Sequence, residues 1–335
     1  MKYLLPQAER YYKTALHIHT DVSDGFWTPA ELKACFKADG FSCVAFSDHN
    51  LITDHSDLNE EDFLALTSYE MTLRDDNPNG WYSRNLHINV LAKEAGNLWQ
   101  AAKPPKLYKN SEQYVDKVEI VDKDLPLDMD SINAFIADSN AHGFLCTYNH
   151  PDSVTVGLED EALTGFWGME VFNYDAFHCG GGYNDEKFQR TLMRGEKVFP
   201  IISDDCHSKR SFRGSGLWVA AKELTYPAMI EALEKGDFYA TNGPKIHSLT
   251  LDEDMVLRAE CSEAMTVCVY SHNNFKQMQP PYCEKSPITE AKFDLKRWFD
   301  GIGEANRDKA FIRLVLTDAA GKRAYTRAYW YDELV

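Results

Sequence analysis

Histidines and carboxylates recur along this chain in a pattern that a metal centre could use. His17-Ile18-His19 sets two imidazoles two residues apart, and on an extended strand that spacing turns both to one face. Asp21 and Asp24 follow in a turn, then come Asp48-His49, Glu70, His87, Asn149-His150-Pro151 and Asp204-Asp205-Cys206-His207. Mixed imidazole and carboxylate suits Zn, Mn or Fe(II), whereas Mg and Ca favour all-oxygen shells. The candidates outnumber what one tetrahedral ion takes, so a cluster of two or three divalent ions is the economical reading. Taken singly, each has an ordinary explanation: His17-x-His19 as a polar strand terminus, Asp48-His49 as a helix cap, His150 as a loop residue before proline. Their joint occurrence near strand ends tells against coincidence.

The elements that must position these groups alternate in type. Apolar runs predict strands at 15–18, 43–46, 65–69, 86–91, 143–148, 168–172, 198–202 and 216–220. Helical stretches are expected at 29–38, 131–141 and 186–194, the first with Thr28 as N-cap and Glu31 three residues on, the last stopping at Gly195. Strand alternating with helix indicates an α/β fold with a mainly parallel sheet or barrel, and parallel barrels carry their active sites at the C-terminal ends of strands. Residues 95–129, rich in Lys and Asp and containing Pro104-Pro105, break the rhythm and read as a surface insertion near the active-site mouth. The turn Thr241-Asn242-Gly243-Pro244 closes the α/β region, and the strand-like runs of 245–335 suggest a small appended β-sandwich.

The remaining histidines read differently. His142 is expected to cap a helix C-terminus, and His247 and His272 to lie on the surface. His55 and His178 fall in loops near the expected mouth, with His178 a candidate substrate contact.

The 335 residues carry 35 Lys and Arg against 52 Asp and Glu, a net charge of −17, which disfavours sequence-independent binding to a nucleic-acid backbone. No run approaches the ~20 apolar residues of a membrane span, and Tyr3-Leu4-Leu5 is too short for a signal-peptide core. None of the eight cysteines forms a C-x-x-C pair, so they are expected to be reduced, and a cytoplasmic location follows. The oligomeric state has no signal in the sequence.

The ordered set His-x-His, Asp, Asp-His, Glu, His, His, Asp-x-His resembles the PHP (polymerase and histidinol phosphatase) family of metal-dependent phosphoesterases, over about residues 16–244. Glu170-Val171-Phe172-Asn173 is similar to the family's E-V-x-N strand, and the 238–244 segment to its closing segment. The resemblance implies a distorted (β/α)7 barrel, followed in some two-domain members by a β-sandwich. It further implies that His17, His19, Glu70 and Asp205 hold a first metal. Glu70 would bridge to a second held by His87 and His150, and Asp24, His49 and His207 would hold a third. Asp204 falls one residue outside the pattern and is expected behind the ligands. The implied activity is hydrolysis of a small phosphate ester by a metal-bridging hydroxide, with His207, Asp48 or a metal-bound water protonating the leaving group. Arg210 and Arg213, with Lys209, are candidates for phosphate contacts, against the alternative of a solvated basic loop. Trp27, Trp81, Tyr82 and Phe212 are candidate stacking residues, against plain loop packing. Two other readings stay open: an amidohydrolase-type C–N hydrolase, although no lysine stands at the relevant strand ends, and a non-enzymatic metal-bound scaffold.

Overall fold

In a computed structural model, residues 1–75, 84–153, 160–273, 276–281 and 287–335 are described. Nine strands organise the first two-thirds: β1 (Tyr12–Ala15), β2 (Phe41–Phe46), β3 (Leu64–Asp75), β4 (Arg84–Ala92), β5 (Phe144–Tyr148), β6 (Gly168–Asn173), β7 (Phe199–Ser203), β8 (Gly216–Val219) and β9 (Phe238–Thr241). Every residue of β2, β5 and β6 is buried. That is the signature of strands covered on both faces, and it explains why they read as apolar runs rather than as alternating patterns.

The strands join in the order β7-β6-β5-β4-β3-β2-β1-β8-β9 within a 14-stranded sheet. Pairing is parallel for β1/β2, β2/β3, β5/β6 and β6/β7. Here the mainly parallel expectation needs a correction. β4 runs antiparallel to both β3 and β5, because β3 and β4 pair as the two arms of one ribbon from Ser68↔Leu91 to Asp75↔Arg84. Beyond β1, an isolated parallel bridge joins Ile18 to Cys206, so the segments that follow β1 and β7 meet although these strands stand six places apart in the sheet.

Helices form where their local signals lie. Thr28 caps Pro29–Ala38: its hydroxyl accepts from the Glu31 N–H, and Glu31 reaches back to the Thr28 N–H. Met129–Ala141 ends at His142, whose Nδ1 lies 2.8 Å from the Asp138 carbonyl, as the C-cap reading expects. Asp185–Met193 ends before Gly195, which adopts φ +93°. Among the described residues, no helix is long and apolar enough to cross a membrane. The seven described cysteines are unpaired.

The large sheet continues past position 244 without a break, since β9 pairs with Arg323–Thr326 and the order then runs through Phe311–Thr317, Thr266–Ser271 and Lys276–Gln279. A second sheet of four strands contains Ile246–Leu251, Val256–Ala264, Ile288–Asp294 and also Lys2–Tyr3. Leu4 and Leu5 join Leu249, Val267, Phe293 and Leu314 in the cluster between the sheets, so the first residues of the chain pack with the last third.

The 95–129 insertion is tied to the α/β part. Trp99–Gln100 pairs with Glu119–Ile120. Buried Gln100 donates to the Asn50 carbonyl at 3.0 Å and accepts from the Ile52 N–H at 3.2 Å. Replacing Thr28 by Ala should remove the helix cap and cost about 1 kcal/mol in urea-induced unfolding. An unchanged unfolding midpoint would show that packing of Leu32 and Phe36 alone holds this helix.

Candidate metal centre

Four backbone features bring the candidate ligands together. The 16–20 segment extends β1 and is locked between neighbours by Ser47 N–H to Ile18 O at 3.1 Å and His19 N–H to Cys206 O at 3.1 Å. His49 follows β2 and bridges in parallel to Glu70, which lies inside β3 rather than at its end. Because β4 is antiparallel, His87 near its N-terminus lies opposite Thr72, diagonal to Glu70 on the same face. Finally, three of the four non-glycine residues with positive φ among the described residues are Asn50 (69°), His150 (26°) and Asp205 (50°), each in a segment that leaves a strand at the centre. Such backbone is held only where the surroundings over-determine it.

Glu70, 1% exposed, lies at the middle. Its Oε1 is 3.2 Å from His17 Nε2, 3.0 Å from His87 Nδ1 and 3.3 Å from His150 Nε2. Its Oε2 is 3.4 Å from His19 Nε2 and 3.0 Å from His49 Nδ1. Asp205 Oδ1 is 3.2 Å from His17 Nε2 and 3.0 Å from His19 Nε2. The two Nε2 atoms of His17 and His19 are themselves 3.1 Å apart. Toward the opening, Asp24 is 3.6 Å from His49 Nε2 and 3.5 Å from His207 Nε2.

The donor atoms fit shared cations. Ligand bonds of about 2.1 Å leave neighbouring ligand atoms of one ion roughly 3.0–3.4 Å apart. Glu70 Oε2, Asp205 Oδ1 and His19 Nδ1 are buried and have no hydrogen-bond partner among the described residues, despite the close approaches. Groups that could share an ion are His17, His19 and Glu70; His17, His150 and Asp205; His49, Glu70 and His87; His19, Asp24, His49 and His207; and Asp175, Asp205 and His207. Protons alone serve this cluster badly. Burial, with His207 and His49 nearby, lowers the pKa of His19 to about 4. Burial also opposes charging of His207, but Asp205 and Asp24 outweigh it and push the value up to about 10.

All nine expected ligands, His17, His19, Asp24, His49, Glu70, His87, His150, Asp205 and His207, fall into these groups. The grouping differs from the expected one in that His19 also faces the Asp24 side and His150 also faces Asp205. Asp204 lies behind, as expected, its carboxylate accepting from the backbone N–H groups of Arg213, Gly214 and Ser215. Asp48, one of the three proton-donor candidates, lies in a closed hydrogen-bond set. Both its oxygens are engaged, accepting from Thr20 N–H and Oγ1 and from Ser23 N–H and Oγ, so it holds the 20–23 turn. Arg213 is exposed at the rim with its guanidinium 4.6 Å over the Tyr174 ring. Arg210 is exposed beside Lys209. His178 is exposed at the end of Tyr174–His178, stacked 6.3 Å from Tyr174, and belongs to none of the groups. His55 is buried against Phe46 rather than at the mouth. Trp27 and Phe212 pack against the cluster of Phe36 and Phe41, which answers the stacking reading for them. Trp81 and Tyr82 lie outside the described residues.

Sequence reasoning missed several contributors. Glu170 Oε1 is 2.8 Å from His17 Nδ1, and its Oε2 accepts from the His150 N–H at 2.7 Å and from Asn173 Nδ2 at 2.9 Å. A carboxylate on Nδ1 sets the tautomer that offers Nε2 to a metal. The E-V-x-N run was visible, but its role was not. Asn149 donates to Glu70 Oε1 at 2.7 Å. Gly25 lies so close to the His19 carbonyl that a Cβ would sit 2.3 Å from it, which keeps Asp24 near the cluster. From the insertion, Tyr108 stacks on His49 at 6.0 Å and reaches Asp24 at 3.4 Å, with Asn110 anchoring its loop to the Asp21 carbonyl.

No protein-family model matches the chain, and no curated protein matches it. Solved structures do show likeness. A two-domain protein from Bacteroides vulgatus, described as containing a predicted PHP-like metal-dependent phosphoesterase, is similar over 98% of each chain, with 16% identity and a TM-score of 0.45. A protein from Bifidobacterium adolescentis, described as a putative metal-dependent phosphoesterase, is similar over 61% of this chain and 90% of its own, with 16% identity and a TM-score of 0.38. An amidohydrolase from Chromobacterium violaceum, with bound sulfate and no metal, covers 68% of this chain and 97% of its own, at 14% identity and a TM-score of 0.38. All three are distant, and the functional reading stands on the side chains.

Replacing Glu170 by Gln should weaken metal binding about 10- to 100-fold while leaving the fold intact, measured by competition with a chelating dye and by circular dichroism. Wild-type metal affinity in that variant would reduce Glu170 to a packing residue.

Proposed function

We propose that the centre holds two or three divalent ions of the Mn, Fe or Zn kind, and that the protein is a metal-dependent hydrolase acting on a small phosphate ester. The observation that carries this reading is the buried carboxylate of Glu70, set within 3.4 Å of the imidazoles of His17, His19, His49, His87 and His150 with Oε2 otherwise unpartnered. Ions held there would lower the pKa of bound water toward neutrality and draw charge from a phosphoryl oxygen.

The chain's own residues then have separable tasks. Glu170 and Asn149 hold His17 and Glu70 in register. Asp48 fixes the turn that carries Asp24. His207 is 28% exposed at the opening, with Nδ1 2.9 Å from the Asp205 carbonyl and Nε2 turned toward Asp24 as a ligand, which leaves a metal-bound water as the group that would protonate the leaving group. Arg213 on Tyr174, and Lys106 over the Tyr108 ring at 4.2 Å, put positive charge on the rim of a protein whose net charge is −17, which favours a small phosphorylated substrate over nucleic acid. The order of the ligands, which resembles the PHP pattern, favours phosphoester over amide chemistry.

The same reading covers the architecture. We take β1–β7, with the Ile18–Cys206 bridge, as the distorted (β/α)7 barrel, and the two-sheet C-terminal part as the β-sandwich. The division falls at 244/245, with Lys2–Leu5 added to the second unit. The unpaired cysteines suit a reducing compartment such as the cytoplasm.

Elemental analysis of the purified protein, with para-nitrophenyl phosphate and bis-para-nitrophenyl phosphate turnover on the same sample, tests this. The expected result is about two to three equivalents of metal with turnover of at least one ester. In Glu70→Gln both should fall, turnover by at least about a hundredfold. Metal without phosphoester turnover would favour a C–N hydrolase or a binding scaffold, and protein that takes up no metal on reconstitution would end the central claim.

A further inference from the structure

Away from the metal centre, a cavity of about 520 Å³ opens between the helix Asp185–Met193 and the strands Thr266–Ser271 and Lys276–Gln279. Its wall includes Arg313, which is 2% exposed. The register explains how a guanidinium comes to be buried there. Tyr270 pairs with Arg313 on one side and with Lys276 on the other, so the three side chains form one row across three strands. The Tyr270 ring lies 4.6 Å from the Arg313 guanidinium and 4.7 Å from the Lys276 ammonium. Phe188 lies on the helix side of Arg313, at 5.4 Å.

The aromatic rings supply contact but no acceptor in the guanidinium plane. Arginine carries five N–H donors. Nε donates to Gln189 Oε1 at 2.9 Å, and NH1 is buried with no partner among the described residues. The carboxylates in the cavity wall make their direct ion pairs elsewhere: Asp185, which acts on Arg313 and Lys276 only through space, pairs with Arg323, and Glu186 pairs with Arg190 at 2.5 Å. A buried cation with no carboxylate in direct contact is costly to keep, and an unfilled guanidinium nitrogen suits an oxyanion.

We propose that this cavity is a second ligand site that takes a small oxyanion, a carboxylate or a phosphate, held by Arg313 with Lys276 at its edge. The site is independent of the metal centre, because none of its residues is a candidate metal ligand. The probes are inorganic phosphate and succinate, each titrated calorimetrically into the wild-type protein and into Lys276→Ala and Arg313→Gln. Any anion binding at the metal centre is common to all three proteins, so differences among them report this cavity alone. At least one anion should bind the wild type, with a Kd raised about fivefold in Lys276→Ala and binding at this site lost in Arg313→Gln. Binding of phosphate alone would identify a phosphate site, and binding of succinate alone a carboxylate site. Equal affinities in the wild type and Lys276→Ala for both anions, or no binding of either, would overturn the proposal even if Arg313→Gln fails to fold.

Discussion

The central constraint on this molecule is electrostatic: one buried carboxylate, Glu70, stands among five imidazoles, with a second carboxylate, Asp205, against three of them. In a low-dielectric interior such a set is expensive to leave uncompensated. Hydrogen bonds do not resolve it, since lone pairs face one another at about the spacing of ligands on a common ion. Much else in the structure follows from holding these atoms in place. The three strained residues Asn50, His150 and Asp205 sit where the chain must turn a side chain or carbonyl toward the cluster. Around them, Glu170, Asn149, Asn173 and Asp48 spend their hydrogen bonds on orienting ligands or ligand-bearing turns.

The centre is also shaped by what lies over it. Asp24 and His207 are its more exposed members, at 40% and 28%, whereas His17, His19 and Glu70 are closed off. The insertion covers part of that opening. Gln100 anchors it beneath, at the loop after His49, and Tyr108 lies on the His49 ring. A segment with no periodicity of its own is ordered here by contact with the site, which fits the general rule that irregular segments on a rigid scaffold carry specificity.

At the far side, the row of Lys276, Tyr270 and Arg313 applies a similar logic in reverse, a buried cation in place of a buried carboxylate. In both places side chains from neighbouring strands are stacked by register, and a polar group is left facing a space that the polypeptide does not fill.

What the sequence determined by itself was chemical and local. The order of His17, His19, Asp24, His49, Glu70, His87, His150, Asp205 and His207 indicated a metal cluster, because residue type limits which ions can be held. The Thr28–Glu31 capping box and the His142 helix end were legible because they involve residues three or four apart. The tertiary structure decided the rest. The reversed direction of β4 carries His87 to Glu70, and neither a strand's direction nor its partner is written in its own periodicity. Asp48 could be read from the sequence as a helix cap or a proton donor, and only the fold brings it the four donors from the turn at Thr20 and Ser23. Glu170 lies 153 residues from His17, and Lys2–Tyr3 pairs with Ile246–Leu251. Contacts of this kind are set by how sheets and loops pack in three dimensions, whereas hydrophobic pattern and capping signals report only on a residue's nearest neighbours along the chain.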